Sequence, residues 1–366
     1  MTLLLNPRSS SKLGKKLQEL QNKTKLKISQ NKGNSLKTTF YKYWNNTLSA
    51  FEKGGNFYFN LNSGKDWAWD ALCTNNNKKY PEFLTKNKTV HNVVKALDDC
   101  WVKVVKTPTE AITKWFDNIN KEKLVIKSSN FNKNLHADFI FPEKESDVFV
   151  IVVHGYTSEP RGMGIYAKEY HNKGYNVLLP SLNGHGDSEA NRITMGWHDR
   201  LDLIDWINFI VENYPESRII IHGESMGSAT TMMATGEDLP NNVKVAVADC
   251  GYTSVWDILS NKITNNFKLH EFPTLYSLNT ANKIFAGFDF KKASAVEQIK
   301  KSKTPTIFIH GDQDKFVPYE MLDKVYEAAS CVKEKVTIPD SPHARNACKN
   351  PELYWNSIFN FTSKYI

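Results

Sequence analysis

A chain of 366 residues with 40% hydrophobic and 12% aromatic residues can bury a large core, as one large domain with an appendage or as two domains. It has no run of about 18 uninterrupted apolar residues, which excludes a membrane-spanning helix of the usual kind. The net charge of +8 is uneven: residues 1–123 hold 22 Lys+Arg against 10 Asp+Glu, whereas the remainder is mildly acidic.

Residues 1–40 are polar and lysine-rich, with a weak amphipathic pattern at Leu13, Leu17 and Leu20 that competes with disorder. The apolar part of the first seven residues is too short for a signal peptide, and no small-residue cleavage site follows. Residues 40–123 are rich in aromatics, which implies burial. Val90, Val93, Val94, Leu97 and Trp101 fall at helical spacing, as do Ala111, Ile112, Trp115, Phe116 and Ile119 after Pro108. A mainly helical appendage over 1–123 is therefore expected. Its basic, aromatic character is compatible with peripheral contact with an anionic membrane surface. Only charge favours nucleic acid, and a lysine- and asparagine-biased solvated surface explains that charge better.

From about residue 124 the rhythm changes. β runs are predicted at 124–127, 135–141, 148–153, 175–180, 218–221, 243–249, 306–310 and 334–338. Helices fit at 164–173, 196–213, 225–235, 318–330 and 351–364. Two directly joined β runs followed by βα alternation indicate an α/β sheet, mostly parallel and eight-stranded, with an antiparallel edge. The stretch 252–298 interrupts the alternation and reads as a small helical cap. Its aromatics, among them Trp256, Phe267, Phe272, Tyr276, Phe285 and Phe288, suit either an apolar acyl pocket or plain packing. The odd, unpatterned cysteines (Cys73, Cys100, Cys250, Cys331 and Cys348) read as reduced thiols in a cytoplasmic protein.

The chemistry sits at the strand ends. Gly223, Glu224, Ser225, Met226 and Gly227 read G-x-S-x-G between an apolar β run and a small-residue helix, which is the context of a nucleophile elbow. A serine hydroxyl needs a base, and the base needs an orienting carboxylate. After the next-to-last β run comes His310, Gly311, Asp312, Gln313, Asp314 and, further on, Val317 and Pro318. Here the H-G-x-x-D-x-x-V-P arrangement favours Asp314 over Asp312 as the acid. After the last β run comes His343, the one histidine in that position and hence the candidate base. His310 and His222 precede glycines at strand ends and read as partly buried structural residues. His185 and His198 have no compatible position. An oxyanion needs backbone donors. Met226 N–H is one. The loop after the third run supplies the other, with Tyr156 preferred over Gly155 and Thr157.

In these motifs the chain resembles the α/β-hydrolase family, and most of all bacterial serine hydrolases of the esterase, lipase and acylaminoacyl-peptidase type. The resemblance spans roughly 135–366. It rests on His154 with Gly155, the turn from Asn183 to Ser188, the G-x-S-x-G, the segment 310–318, and Ser341, Pro342 and His343. It implies Ser225, Asp314 and His343 as a catalytic triad, and Tyr156 and Met226 N–H groups as the oxyanion hole. Asn183 departs from the arginine that often precedes the glycine of the G-H-G-x-S turn. The implied activity is a serine hydrolase cleaving a small-molecule carboxylic ester through an acyl-serine, with no metal or organic cofactor. A thioesterase or serine peptidase of the same fold remains open. So does a non-catalytic scaffold that binds a membrane or a protein. Oligomeric state and the role of 1–123 are not legible.

Overall fold

The computed structural model describes residues 110–189, 193–266 and 270–366. The appendage expected before residue 110, including Cys73 and Cys100, and the aromatic Phe267 lie outside the described residues. The described residues fall into two units. One holds 110–258 and 290–366, and the other holds 259–266 and 270–289.

The first unit is built on an eight-stranded sheet. Its strands are β1 (Glu122–Lys127), β2 (Asn134–Ile140), β3 (Val148–Val153), β4 (Asn176–Pro180), β5 (Arg218–Glu224), β6 (Val243–Asp249), β7 (Thr306–Gly311) and β8 (Lys333–Ile338). Their order is β1-β2-β4-β3-β5-β6-β7-β8. β2 pairs antiparallel with β1 and β4, and all other neighbours are parallel. Each predicted β run has its strand. β1 begins at Glu122, ahead of its apolar run, because edge pairing with β2 tolerates charged residues.

The central strands are covered on both faces. Val150, Val152, Ile220, Val245, Val247, Ile307 and Ile309 pack with Tyr166, Tyr170, Tyr354, Trp355 and Ile358. The intervening Ile151, Ile221, Ala246 and Phe308 are buried as well, as the two-residue period of a strand requires when both faces are covered. Burying each such large aliphatic side chain contributes about 1.5–3 kcal/mol.

The helices of this unit are α1 (Glu110–Asn118), α2 (Gly164–Asn172), α3 (Asp199–Asn213), α4 (Met226–Thr235), α5 (Val255–Asn261, whose last three residues belong to the second unit), α7 (Ala295–Ile299), α8 (Glu320–Ala328), α9 (Asn346–Lys349) and α10 (Pro351–Thr362). α1 packs on α2 at Gly164, where a Cβ would meet Ile112 and Phe116 at 3.2 and 3.4 Å. Arg161 clamps Asp117 with two bonds of 2.7 and 2.6 Å. α3 starts at Asp199, three residues after the expected Gly196. The reason is local: the Asp199 carboxylate accepts Gly196 N–H (2.9 Å) and the Thr194 hydroxyl (2.7 Å), so the chain wraps around it before turning helical.

Of the stretch read as a cap, residues 252–258 and 290–298 belong to the sheet unit, joined by a bridge between Ser254 and Ser294. The second unit holds a π-helical turn (Lys262–Asn266) and α6 (Glu271–Phe285). Within it, Asn282 donates to Phe288 O (2.7 Å) and Lys283 pairs with Asp289 (2.5 Å). Among the described residues, no helix is long and apolar enough to cross a membrane.

Candidate active site

The turn from β5 into α4 places Ser225 at φ 56°, ψ −113°, a region that L-residues avoid and that costs on the order of 1–3 kcal/mol. Neighbouring backbone holds it there. Ser225 N–H donates to Asp249 O on β6 (2.8 Å), and Ser225 O accepts the first helical bond from Ala229 (3.0 Å). The flanking glycines answer a different demand. A Cβ on Gly223 would lie 2.2 Å from Gly227 O, and one on Gly227 would lie 2.0 Å from Val153 O. Without side chains there, β3, β5 and α4 meet backbone to backbone, and the serine is carried on the crest.

The Ser225 hydroxyl does not cap its helix. Its Oγ lies 2.8 Å from His343 Nε2. His343 Nδ1 lies 2.6 Å from Asp314 Oδ2. A carboxylate only accepts, so Nδ1 carries the proton and Nε2 of the neutral ring is left to accept from Ser225. Asp314 Oδ1 accepts Phe316 and Val317 N–H, both at 2.8 Å, and Asp314 N–H donates to Gly311 O. Burial pushes the Asp314 carboxyl up, but attraction to the imidazolium that His343 becomes on protonation and hydrogen bonds from His310 and His343 outweigh it and hold the group well below the usual carboxylate range. Asp312, the competing acid, is exposed, and its N–H donates to Ile338 O. The loops after β7 and β8 interlock, with Gln313 N–H donating to Ser341 O, and this brings the acid and the imidazole together.

The loop after β3, where an oxyanion donor is expected, lies against the serine, since a Cβ on Gly155 would stand 3.3 Å from Ser225 Cβ. Thr157 N–H is already donated to His185 Nε2 (3.0 Å), which removes it from the candidate donors. Two histidines brace this loop. His154 donates from Nδ1 to Gly155 O (2.8 Å) and accepts Leu182 N–H at Nε2 (3.0 Å). His185 donates from Nδ1 to Asn183 O (2.9 Å). Burial pushes His154 down to about 4 and His185 down to about 3, so both stay neutral. Asn183, the departure in the G-H-G-x-S turn, donates its backbone N–H to Asp199 and its side-chain amide to Asp202.

Under the serine runs a chain of buried hydrogen bonds that sequence reasoning did not find. Tyr354 O–H donates to Asp249 Oδ2 (2.7 Å), so its oxygen accepts His222 Nε2–H (3.1 Å), and His222 Nδ1 accepts from Tyr170 O–H (2.9 Å). Asn346 donates to Asp249 Oδ1 (2.6 Å). Neither His310 nor His222 is partly buried, as their sequence positions suggested: both are fully buried. Cys250 is buried at φ 46°, and its sulfur, a His343 ring nitrogen and an Asp314 oxygen lie within 4.8 Å of one another. Among the described residues this is the one grouping close enough to hold a metal ion, and two of its members are hydrogen-bonded to each other. Burial, with the charges of Asp249, Glu224 and Asp314, pushes the thiol well above its ordinary range, so it stays protonated beside His343 and Asp314.

Glu224, next to Ser225, accepts from Tyr166 O–H (2.7 Å). Burial pushes it up to about 7; the Tyr166 bond opposes this and the Asp249 charge adds to it. The stability it contributes is therefore full below about pH 4.5, where both folded and unfolded chains are protonated, and is lost as pH rises through about 7. Glu224→Gln removes that dependence. Its stability relative to wild type should rise between pH 4.5 and 8 by up to about 3 kcal/mol, read from urea midpoints. A pH-independent difference would mean that the carboxyl is not held neutral.

Comparisons with known proteins come to bear on this geometry. Residues 144–277 match the family model described as serine aminopeptidase, S33. YqkD of Bacillus subtilis is 24% identical over 247 residues, covering 67% of this chain and 80% of that protein. A thermostable monoacylglycerol lipase of Bacillus sp. (strain H-257) is 25% identical over 249 residues, covering 62% of this chain and 94% of the lipase. Among solved structures, the Pyrococcus furiosus esterase Pf2001 superposes with a TM-score of 0.56 at 24% identity, over 72% of this chain and 97% of that one, a likeness of fold.

Proposed function

We propose that this chain, which belongs to the α/β-hydrolase superfamily, is a serine hydrolase that cleaves small-molecule carboxylic esters through an acyl-serine intermediate. The observation that carries the reading is the unbroken line from Ser225 Oγ through His343 to Asp314, at 2.8 and 2.6 Å. Ser225 attacks the acyl carbonyl while His343 Nε2 takes its proton. The imidazolium then hands that proton to the leaving alkoxide. Water, deprotonated by the same nitrogen, cleaves the acyl-serine and regenerates the hydroxyl. Asp314 keeps Nδ1 protonated throughout and stabilises the charged ring. Met226 N–H, at the head of α4, and Tyr156 N–H receive the oxyanion.

The similarity to a monoacylglycerol lipase supports esters over amides as the substrate class. The family description of a serine aminopeptidase supports the second reading, amide cleavage by the same side chains. Two measurements test the proposal. A fluorophosphonate probe should label the protein at Ser225. A panel of p-nitrophenyl esters of graded chain length, monoacylglycerols, acyl thioesters and aminoacyl anilides should show the highest kcat/KM on an ester. A probe-inert Ser225 would sink the catalytic reading, and an anilide preferred over every ester would move the chain to the peptidase class.

A further inference from the structure

We propose that His310 is a positioning residue for the acid, locking the Asp314 loop and carboxylate in the orientation that His343 needs. The inference rests on the serine-hydrolase reading of Ser225, His343 and Asp314. His310 lies on β7, four residues before Asp314, and is fully buried. Its Nε2 stands 3.0 Å from Val317 O and 3.1 Å from Asp314 Oδ2. Both are acceptors, so Nε2 carries the ring proton and shares it between them.

That one N–H closes the loop on itself. Val317 presents its N–H to Asp314 Oδ1, while its carbonyl is held by His310. Asp314 Oδ2 then has two imidazole neighbours, Nδ1 of His343 at 2.6 Å and Nε2 of His310 at 3.1 Å. The carboxylate is thus fixed at both oxygens, with its rotation and the charge on Oδ2 set by His310. A packing role alone does not account for this residue. Its Nδ1 is buried and has no hydrogen-bond partner among the described residues, a cost that an apolar side chain of similar size would avoid.

The test compares His310→Leu with His310→Gln. Leucine fills the volume and donates nothing, whereas glutamine sets an amide N–H near the place of Nε2–H. In the leucine variant, kcat for p-nitrophenyl butyrate should fall about tenfold, the scale of a lost hydrogen bond to a charged group, with KM unchanged. The far-downfield proton resonance of the His343 to Asp314 hydrogen bond should move further downfield, because Oδ2 relieved of its second donor pulls harder on Nδ1–H. Glutamine should return kcat to within about threefold of wild type and the resonance to its original position. Wild-type kcat and an unmoved resonance in the leucine variant would overturn the proposal, as would a folded glutamine variant as slow as leucine. The resonance needs no turnover, so it decides the matter even if the wild-type protein hydrolyses no ester.

Discussion

Ser225→Ala should lower ester turnover by a factor on the order of 10⁴ to 10⁶ and leave the urea midpoint where it was. The hydroxyl is the one group that forms the acyl bond in the proposed reaction, and Cys250, held protonated by burial, does not replace it. Removing Oγ deletes a single contact, the 2.8 Å bond to His343, and keeps the backbone bonds of Ser225 to Asp249 and Ala229. Alanine also keeps a Cβ at φ 56°, so the strain of the turn stays. Ser225→Gly should be equally inactive yet more stable than the alanine variant by about 1 kcal/mol, because glycine occupies that region without penalty. Inactive variants ordered in this way would identify the strain as a cost tolerated for the hydroxyl's position. Near-wild-type turnover in Ser225→Ala would reject the proposed nucleophile.

Gly227→Ala should destabilise the fold by at least about 4 kcal/mol, beyond what most single substitutions do. The added methyl would sit 2.0 Å from Val153 O and 2.7 Å from His154 O. Both are main-chain atoms, at the end of β3 and the start of the loop after it, and cannot rotate aside as a side chain would. Relief requires α4 to move away from β3, which drags Met226 N–H from the loop carrying Tyr156 and spoils the proposed pair of oxyanion donors with the same shift. Gly174 provides the control. Its φ is +80°, but nothing lies within 4 Å of its Cβ position, so Gly174→Ala should cost about 1 kcal/mol of backbone strain only. Circular-dichroism melts of the two variants separate steric exclusion from conformational strain. Equal losses would show that the β3–α4 contact yields.

Much of this arrangement is legible in the amino-acid sequence. Runs such as 148–153 and 307–309 are apolar at every position because the strands are covered on both faces, and a short continuous apolar run marks such a strand. The G-x-S-x-G signal was strong because each glycine answers a backbone clash that no other residue escapes. The order serine, acid, imidazole follows from which strand ends meet at one rim. What stayed hidden depends on partners far away in the chain. Asp249 looked like the end of a strand, yet Tyr354 and Asn346, 105 and 97 residues later, hold its carboxylate. Asp312 and Asp314 differ in burial more than in local sequence. His154 and His185 gave turn signals, but that they brace one loop from two sides is a property of packing.

The spacing between the reacting groups has a consequence for biosynthesis. Ser225 precedes His343 by 118 residues, and β7, β8 and the loops that present Asp314 and His343 all lie downstream of the nucleophile strand. On the ribosome, β3, β4 and β5 emerge with their serine long before a base exists to deprotonate it. Tyr354, which ties α10 to both His222 and Asp249, comes later still. In the proposed reaction a nascent chain is thus chemically silent toward the acyl groups of its surroundings, and reactivity switches on only when the last strand and helix dock.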